Sequence, residues 1–121
     1  MAMFQTKQCP FKEMNWVPIL RSEDLQEGVS QVVQVQGVAM LVIRYRRKLY
    51  AVYNRCPHAG AELSCGTIKY YRIGGPVVTC PGHQWEISLR NGIASFRGRV
   101  KGRMKPVYLK EESGHIYMAL S

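Results

Sequence analysis

Short β-prone runs, each cut off by turn-forming residues, dominate this chain and leave it little choice of architecture. Trp16–Leu20, Val29–Val35, Val38–Tyr45, Leu49–Tyr53, Val77–Thr79, Trp85–Leu89, Ile93–Phe96, Val107–Lys110 and Ile116–Leu120 are rich in β-branched and aromatic residues. Between them stand Gln36-Gly37, Arg46-Arg47-Lys48, Gly74-Gly75-Pro76, Arg90-Asn91-Gly92 and Glu111-Glu112-Ser113-Gly114, which read as turns between antiparallel neighbours. Pro18 has no N–H to give a ladder, so the first run belongs on a sheet edge. Ser22–Gly28 reads as a loop, with at most one helical turn begun by a Ser cap. The expectation is an all-β antiparallel sandwich or barrel-like fold with two longer loops.

With 121 residues, 46% of them hydrophobic, the chain can bury one core and not two. One domain over residues 14–121 is expected, after a flexible N-terminus at 1–13. No apolar run approaches the ~20 residues that cross a bilayer. The first residues, MAMFQTKQCPFKEMNW, lack the apolar block of a signal peptide. A cytoplasmic location with no membrane partner follows as the expectation. There the four cysteines are expected to be reduced rather than paired in disulfides, with some of them available to metal.

The chemistry is concentrated in the two longer loops, set at about 55–66 and 79–86. One holds Cys56-Pro57-His58-Ala59-Gly60 and the other Cys80-Pro81-Gly82-His83, each at the exit of an apolar run. Proline after each cysteine fixes φ and stiffens the turn, and glycines 60, 66 and 82 permit close backbone approach. Two thiolates and two imidazoles make a ligand set for zinc or for a binuclear iron–sulfur centre. Zinc fingers group cysteines with cysteines and histidines with histidines. Mixed loops instead suit a binuclear centre with both cysteines on one iron and both histidines on the other. A zinc-binding interaction module stays as the competing reading.

Tyr50–Ser64 with its Cys56-Pro-His58, Thr79–Ile87 with its Cys80-Pro-Gly-His83, and the Leu89–Gly92 turn together resemble the Rieske family. The resemblance runs from about Trp16 to Met118. It implies three stacked antiparallel sheets with a small cluster-binding subdomain. It further implies one [2Fe–2S] cluster held by Cys56, His58, Cys80 and His83, with the histidine-bound iron outermost and redox-active. The high-potential branch joins its loops by a disulfide between additional cysteines, and the positions here that resemble theirs are Gly60 and Gly82. That branch also places a Ser and a Tyr two and four residues after the second histidine, where this chain has Trp85 and Ile87. Fewer hydroxyl donors imply a potential in the lower part of the Rieske range of about −150 to +300 mV.

The implied function is a soluble ferredoxin, an electron-transfer component and not a catalyst alone. It would pass single electrons from a flavin-dependent or iron–sulfur reductase to the terminal oxygenase of a ring-hydroxylating dioxygenase-type system. The alternative is a small Rieske-like subunit of a larger oxidoreductase such as assimilatory nitrite reductase. A self-sufficient oxygenase would need a further domain for a mononuclear iron site, which this length is not expected to hold.

Lys and Arg number 17 against 8 acidic residues, a net charge of +9 that favours partners with acidic docking faces. Nucleic acid is not expected, because no recognition helix or zinc-finger spacing accompanies the charge. Arg97, Arg99, Lys101, Arg103 and Lys105 alternate with other residues. If extended, they would project from one side, forming a positive rim beside the histidines with Arg44, Arg46 and Arg47. Cys65 is expected to be a buried or half-buried small residue, Cys9 to lie in the N-terminal tail, and His115 at the surface. The oligomeric state is left open.

Overall fold

The structure is a computed structural model and describes residues 15–57, 60–82 and 84–120. Eleven strands are defined among them: β1 (Asn15–Arg21), β2 (Ser30–Val35), β3 (Val38–Tyr45), β4 (Lys48–Tyr53), β5 (Thr67–Tyr71), β6 (Gly75–Thr79), β7 (Glu86–Ser88), β8 (Ile93–Phe96), β9 (Arg99–Arg103), β10 (Leu109–Glu112) and β11 (His115–Leu120). They form three antiparallel sheets, ordered β1-β11-β10, β2-β3-β4 and β5-β6-β7-β8-β9. Two 3₁₀ turns, Ser22–Asp24 and Leu63–Cys65, complete the regular elements.

The β2-β3-β4 sheet is the middle layer, and the sequence of β3 explains why. Met40 and Val42 join Leu25, Val35, Ala51, Ile116 and Met118 in one core cluster. Leu41 and Ile43, on the opposite face, join Val52, Leu63, Val78, Ile87, Leu89 and Ala94 in the other. All four of these β3 side chains are 0% exposed. A strand buried on both faces loses the usual alternation and reads as a continuous apolar run. Each such side chain contributes about 1.5–3 kcal/mol of burial.

Four connections are two-residue hairpins with both residues at positive φ: Gln36-Gly37, Arg46-Arg47, Arg97-Gly98 and Ser113-Gly114. That geometry matches strand twist but strains non-glycine residues. The Arg46-Arg47 turn has no glycine, and the Glu27 carboxylate accepts both of its backbone N–H groups. Pro18 does lie on an edge strand, at an irregularity in the β1–β11 register. The 3₁₀ turn at Ser22 is preceded by Arg21, with no side-chain cap at its start. The sequence reading had no strand at β5. Four of its five residues are exposed, so no buried face imprints a pattern on it.

The basic stripe does not survive as one surface. In β9 the register with β8 shifts, Arg99 facing Phe96 and Val100 facing Ser95, then Gly102 facing Ala94 and Arg103 facing Ile93. Lys101 is the extra residue of a β-bulge. Opposed residues share a face, and Phe96 and Ile93 lie three apart on a regular strand. Arg99 and Arg103 therefore point to opposite faces of the sheet. Arg44 is not part of any rim either. It forms a two-point ion pair with Glu111 of β10 at 2.8 and 3.0 Å and donates to the Leu25 carbonyl at 2.8 Å. Arg46 and Arg47 occupy the turn that enters β4, at the opposite end of that strand from the loop it leads into.

Candidate metal centre

Cys56 follows β4 and Cys80 follows β6, and both side chains are only 1% exposed. Both belong to the cluster between the middle sheet and the five-stranded sheet, with Trp85, Tyr53 and Ala61 packed around it. The two loops close in the same way. The Cys56 N–H donates to the Ala61 carbonyl at 2.7 Å, and the Gly60 N–H donates back to the Cys56 carbonyl at 2.8 Å. In the second loop the Cys80 N–H donates to Trp85 at 2.8 Å, and the Gln84 N–H donates to Cys80 at 3.2 Å. In each, the residue four beyond the cysteine is in the left-handed region, Gly60 at φ 74° and Gln84 at φ 65°. The same two closures thus recur at corresponding positions, with proline after the cysteine in each.

The loops differ in what holds their feet together. The second is a hairpin loop, since Thr79 of β6 pairs with Glu86 of β7 directly below it. The first leaves a strand of the middle sheet and returns to a strand of the five-stranded sheet, so no ladder closes it. Asn54 does so instead. Its Oδ1 accepts the Ser64 N–H at 2.7 Å and its Nδ2 donates to Ser64 Oγ at 3.1 Å. Asn54 is 6% exposed, and its own N–H donates to Ala39 of β3 at 2.9 Å. Sequence reasoning passed over this residue, because an asparagine at a strand exit reads simply as a turn former.

His58 and His83 lie outside the described residues, as do Cys9 and Ala59. Among the described residues no three His, Cys, Asp or Glu side chains come together as a metal site. None of Cys56, Cys65 and Cys80 is joined in a disulfide. Cys65 is exposed rather than buried, on a cleft of about 330 Å³ that Cys80 and Pro81 also line. It stands at the end of a 3₁₀ turn whose inward position is taken by Leu63, fully buried. His115 is exposed, as the sequence reading had it.

The donor set fits a [2Fe–2S] centre. Two cysteines outside any disulfide, each sealed from water, sit on two loops closed by the same hydrogen bonds, and buried thiolate ligation to iron asks for such an environment. Trp85 and Ile87, the positions without hydroxyls, are packing residues, half-buried and 0% exposed. Charge is uneven around this end. Arg97 and Gly98 turn β8 into β9, at the same end of the sheet as the second loop, because Thr79, Glu86, Ser95 and Val100 form one row across it. Arg97 lies over the Phe96 ring at 5.0 Å. Among the described residues, no carboxylate pairs with Arg55, Arg97 or Arg99.

Comparison with known proteins agrees with this geometry. The family model described as the Rieske [2Fe–2S] domain matches residues 15–106. The chain belongs to that family, and one [2Fe–2S] cluster is its cofactor. It is 31% identical over 106 residues to the ferredoxin CarAc of Metapseudomonas resinovorans, covering 86% of this chain and 92% of that protein. It is 29% identical over 134 aligned positions to the oxygenase subunit of carnitine monooxygenase of Escherichia coli K12, covering 97% of this chain but 35% of that one. The chain thus spans about a third of the length of some curated relatives it matches. Among solved structures, the ferredoxin of carbazole 1,9a-dioxygenase from Nocardioides aromaticivorans IC177 superposes with a TM-score of 0.73 at 24% identity. That match covers 88% of this chain and 98% of the other. Among the described residues, no helix is long and apolar enough to cross a membrane.

Proposed function

We propose that the protein is a cytoplasmic Rieske ferredoxin in which Cys56, His58, Cys80 and His83 hold the cluster. It carries single electrons from a reductase to a terminal oxygenase and catalyses nothing alone. The observation that carries this reading is the pair of buried cysteines, each 1% exposed, on loops closed by the same two hydrogen bonds. When bound, the cluster accepts and releases one electron at a time. The chain's part is to hold the two thiolates rigidly, keep water off them and leave the potential low. Trp85 and Ile87 serve the last purpose by offering no hydroxyl where a donor would raise it.

The docking side is electrostatic. Arg97 and Arg99 stand at the cluster end of the five-stranded sheet, and Arg55 stands within the first loop. An acidic partner face would be steered toward that end. A second reading is supported by the oxygenase-subunit match, namely a Rieske unit working inside a larger oxidoreductase. Co-purification of a catalytic subunit with the native protein separates the two.

The test is the EPR spectrum of the dithionite-reduced protein, with iron and acid-labile sulfide analysis. A rhombic signal of low average g, with two irons and two sulfides per chain, is the expected result. A silent spectrum with stoichiometric zinc would discard the electron-carrier reading.

A further inference from the structure

We propose that Asn54 is a positioning residue for the centre, a side-chain clamp that stands in for the strand pairing the first loop lacks. The inference rests on the cluster assignment above and adds a residue to it. The second loop is held at its base by the Thr79–Glu86 ladder pair. At the first loop, the corresponding feet belong to different sheets, and Asn54 joins them through both ends of its amide. The amide's orientation is unambiguous, because the Ser64 backbone N–H can only donate and so must meet Oδ1.

Three consequences converge on Cys56, two residues along. The Asn54 N–H on Ala39 anchors the loop's exit to the middle sheet. The Ser64 contacts fix its return, next to Leu63, which is fully buried beside Cys56 in the same core cluster. Between these anchors the Cys56–Ala61 closure is nested inside the Asn54–Ser64 closure. Asn54 is the buried polar side chain among the described residues, and a buried amide is retained only where its partners are worth its desolvation. Its loss takes the acceptor from the part-buried Ser64 N–H, unties the loop's return from its exit and frees the thiolate to shift.

The experiment compares wild type with Asn54→Ala, Asn54→Asp and Ser64→Ala, each loaded with cluster. The readouts are the rate of cluster release to an iron chelator, the midpoint potential and the EPR line positions. Asn54→Ala should release the cluster roughly 10- to 100-fold faster, the usual loss when a supporting contact to a metal ligand is removed, with displaced EPR lines. Asn54→Asp should be rescued to within a few-fold of wild type, since the carboxylate can accept both the Ser64 N–H and its hydroxyl. Ser64→Ala, which keeps the N–H bond, should also stay within a few-fold.

A folded Asn54→Ala protein with wild-type release, potential and EPR lines would overturn the clamp. Hydrogen exchange on the unsubstituted protein tests the same contact without any variant. A Ser64 amide as protected as the β3 amides supports the clamp, and one that exchanges like a free amide refutes it. If wild type shows no Rieske EPR signal, the cluster assignment fails. If wild type shows it and Asn54→Ala does not alter it, the clamp alone fails.

Discussion

Gly66 is the tightest backbone crossing beside the centre, and replacing it with alanine makes a quantitative test of the packing. A Cβ built at Gly66 would lie 2.0 Å from the Thr79 carbonyl oxygen and 3.1 Å from its carbon. An ordinary contact needs about 3.4 Å, so one backbone must retreat by more than 1 Å. Neither can do so freely. Thr79 is paired to Thr67 on one side and Glu86 on the other, and it precedes Cys80. The substitution therefore breaks the first rung of the β5–β6 ladder or displaces the second loop. Overpacking of this kind costs about 1–3 kcal/mol, and a lost buried hydrogen bond adds about 1. We expect Gly66→Ala to lose about 2–4 kcal/mol in urea denaturation of the loaded protein, with faster loss of cluster. Gly102→Ala is the control, since its Cβ would meet nothing within 4 Å and its φ is not left-handed. It should stay within about 0.5 kcal/mol. A Gly66→Ala protein as stable as that control would refute the stated approach of loop to strand.

Three further outcomes follow from the same structure. Arg47, at φ 67° in a turn without glycine, should gain about 0.5–1 kcal/mol on replacement by glycine, the relief of left-handed strain less the extra chain entropy; a lower melting temperature would contradict it. Arg44 holds the Glu111 carboxyl well below the usual range, at about 2, so this pair's stability is complete above about pH 4.5 and is lost as pH falls toward 2. Because Glu111 is about a third exposed, its worth is discounted to about 1 kcal/mol, and Glu111→Gln should flatten the acid limb of a stability–pH curve. Electron transfer with the native reductase should slow as salt rises, and Arg97→Gln with Arg99→Gln should shallow that dependence while Arg103→Gln leaves it unchanged; equal effects from both ends of β9 would deny the cluster end its special role.

How much of this was legible in the sequence depends on whether a feature is local. The Gln36-Gly37, Arg46-Arg47 and Ser113-Gly114 turns and the edge position of Pro18 are encoded within a few residues and were read from them. The Arg97-Gly98 turn, by contrast, was taken into one extended segment, and the burial of β3 on both faces emerges only from packing. The cysteine loops were legible because proline and histidine accompany both cysteines at strand exits. What escaped depends on pairing. β5 carries β-prone Thr, Ile and Tyr between Gly66 and Gly74, which was the available signal, but its exposed faces gave no periodicity. Arg44 looked like one of many surface cations until β10 placed Glu111 against it.

The bulge at Lys101 shows why charge patterning along a strand is weak evidence for a binding face. Side-chain alternation holds only while the register is unbroken, and one inserted residue reverses every position after it. Five cations at even spacing are thus divided, Arg97 in the turn at the cluster end, Arg99 and Arg103 on opposite faces, Lys101 at the bulge and Lys105 beyond the strand. A bulge together with cationic side chains is also how an edge strand resists adding a neighbour, and β9 is such an edge. Its basic composition therefore has two separable causes, protection of the edge along its length and attraction of a partner at its Arg97 end. Only the second should depend on distance from the cysteine loops, which is why the paired substitutions at the two ends of β9 can tell them apart.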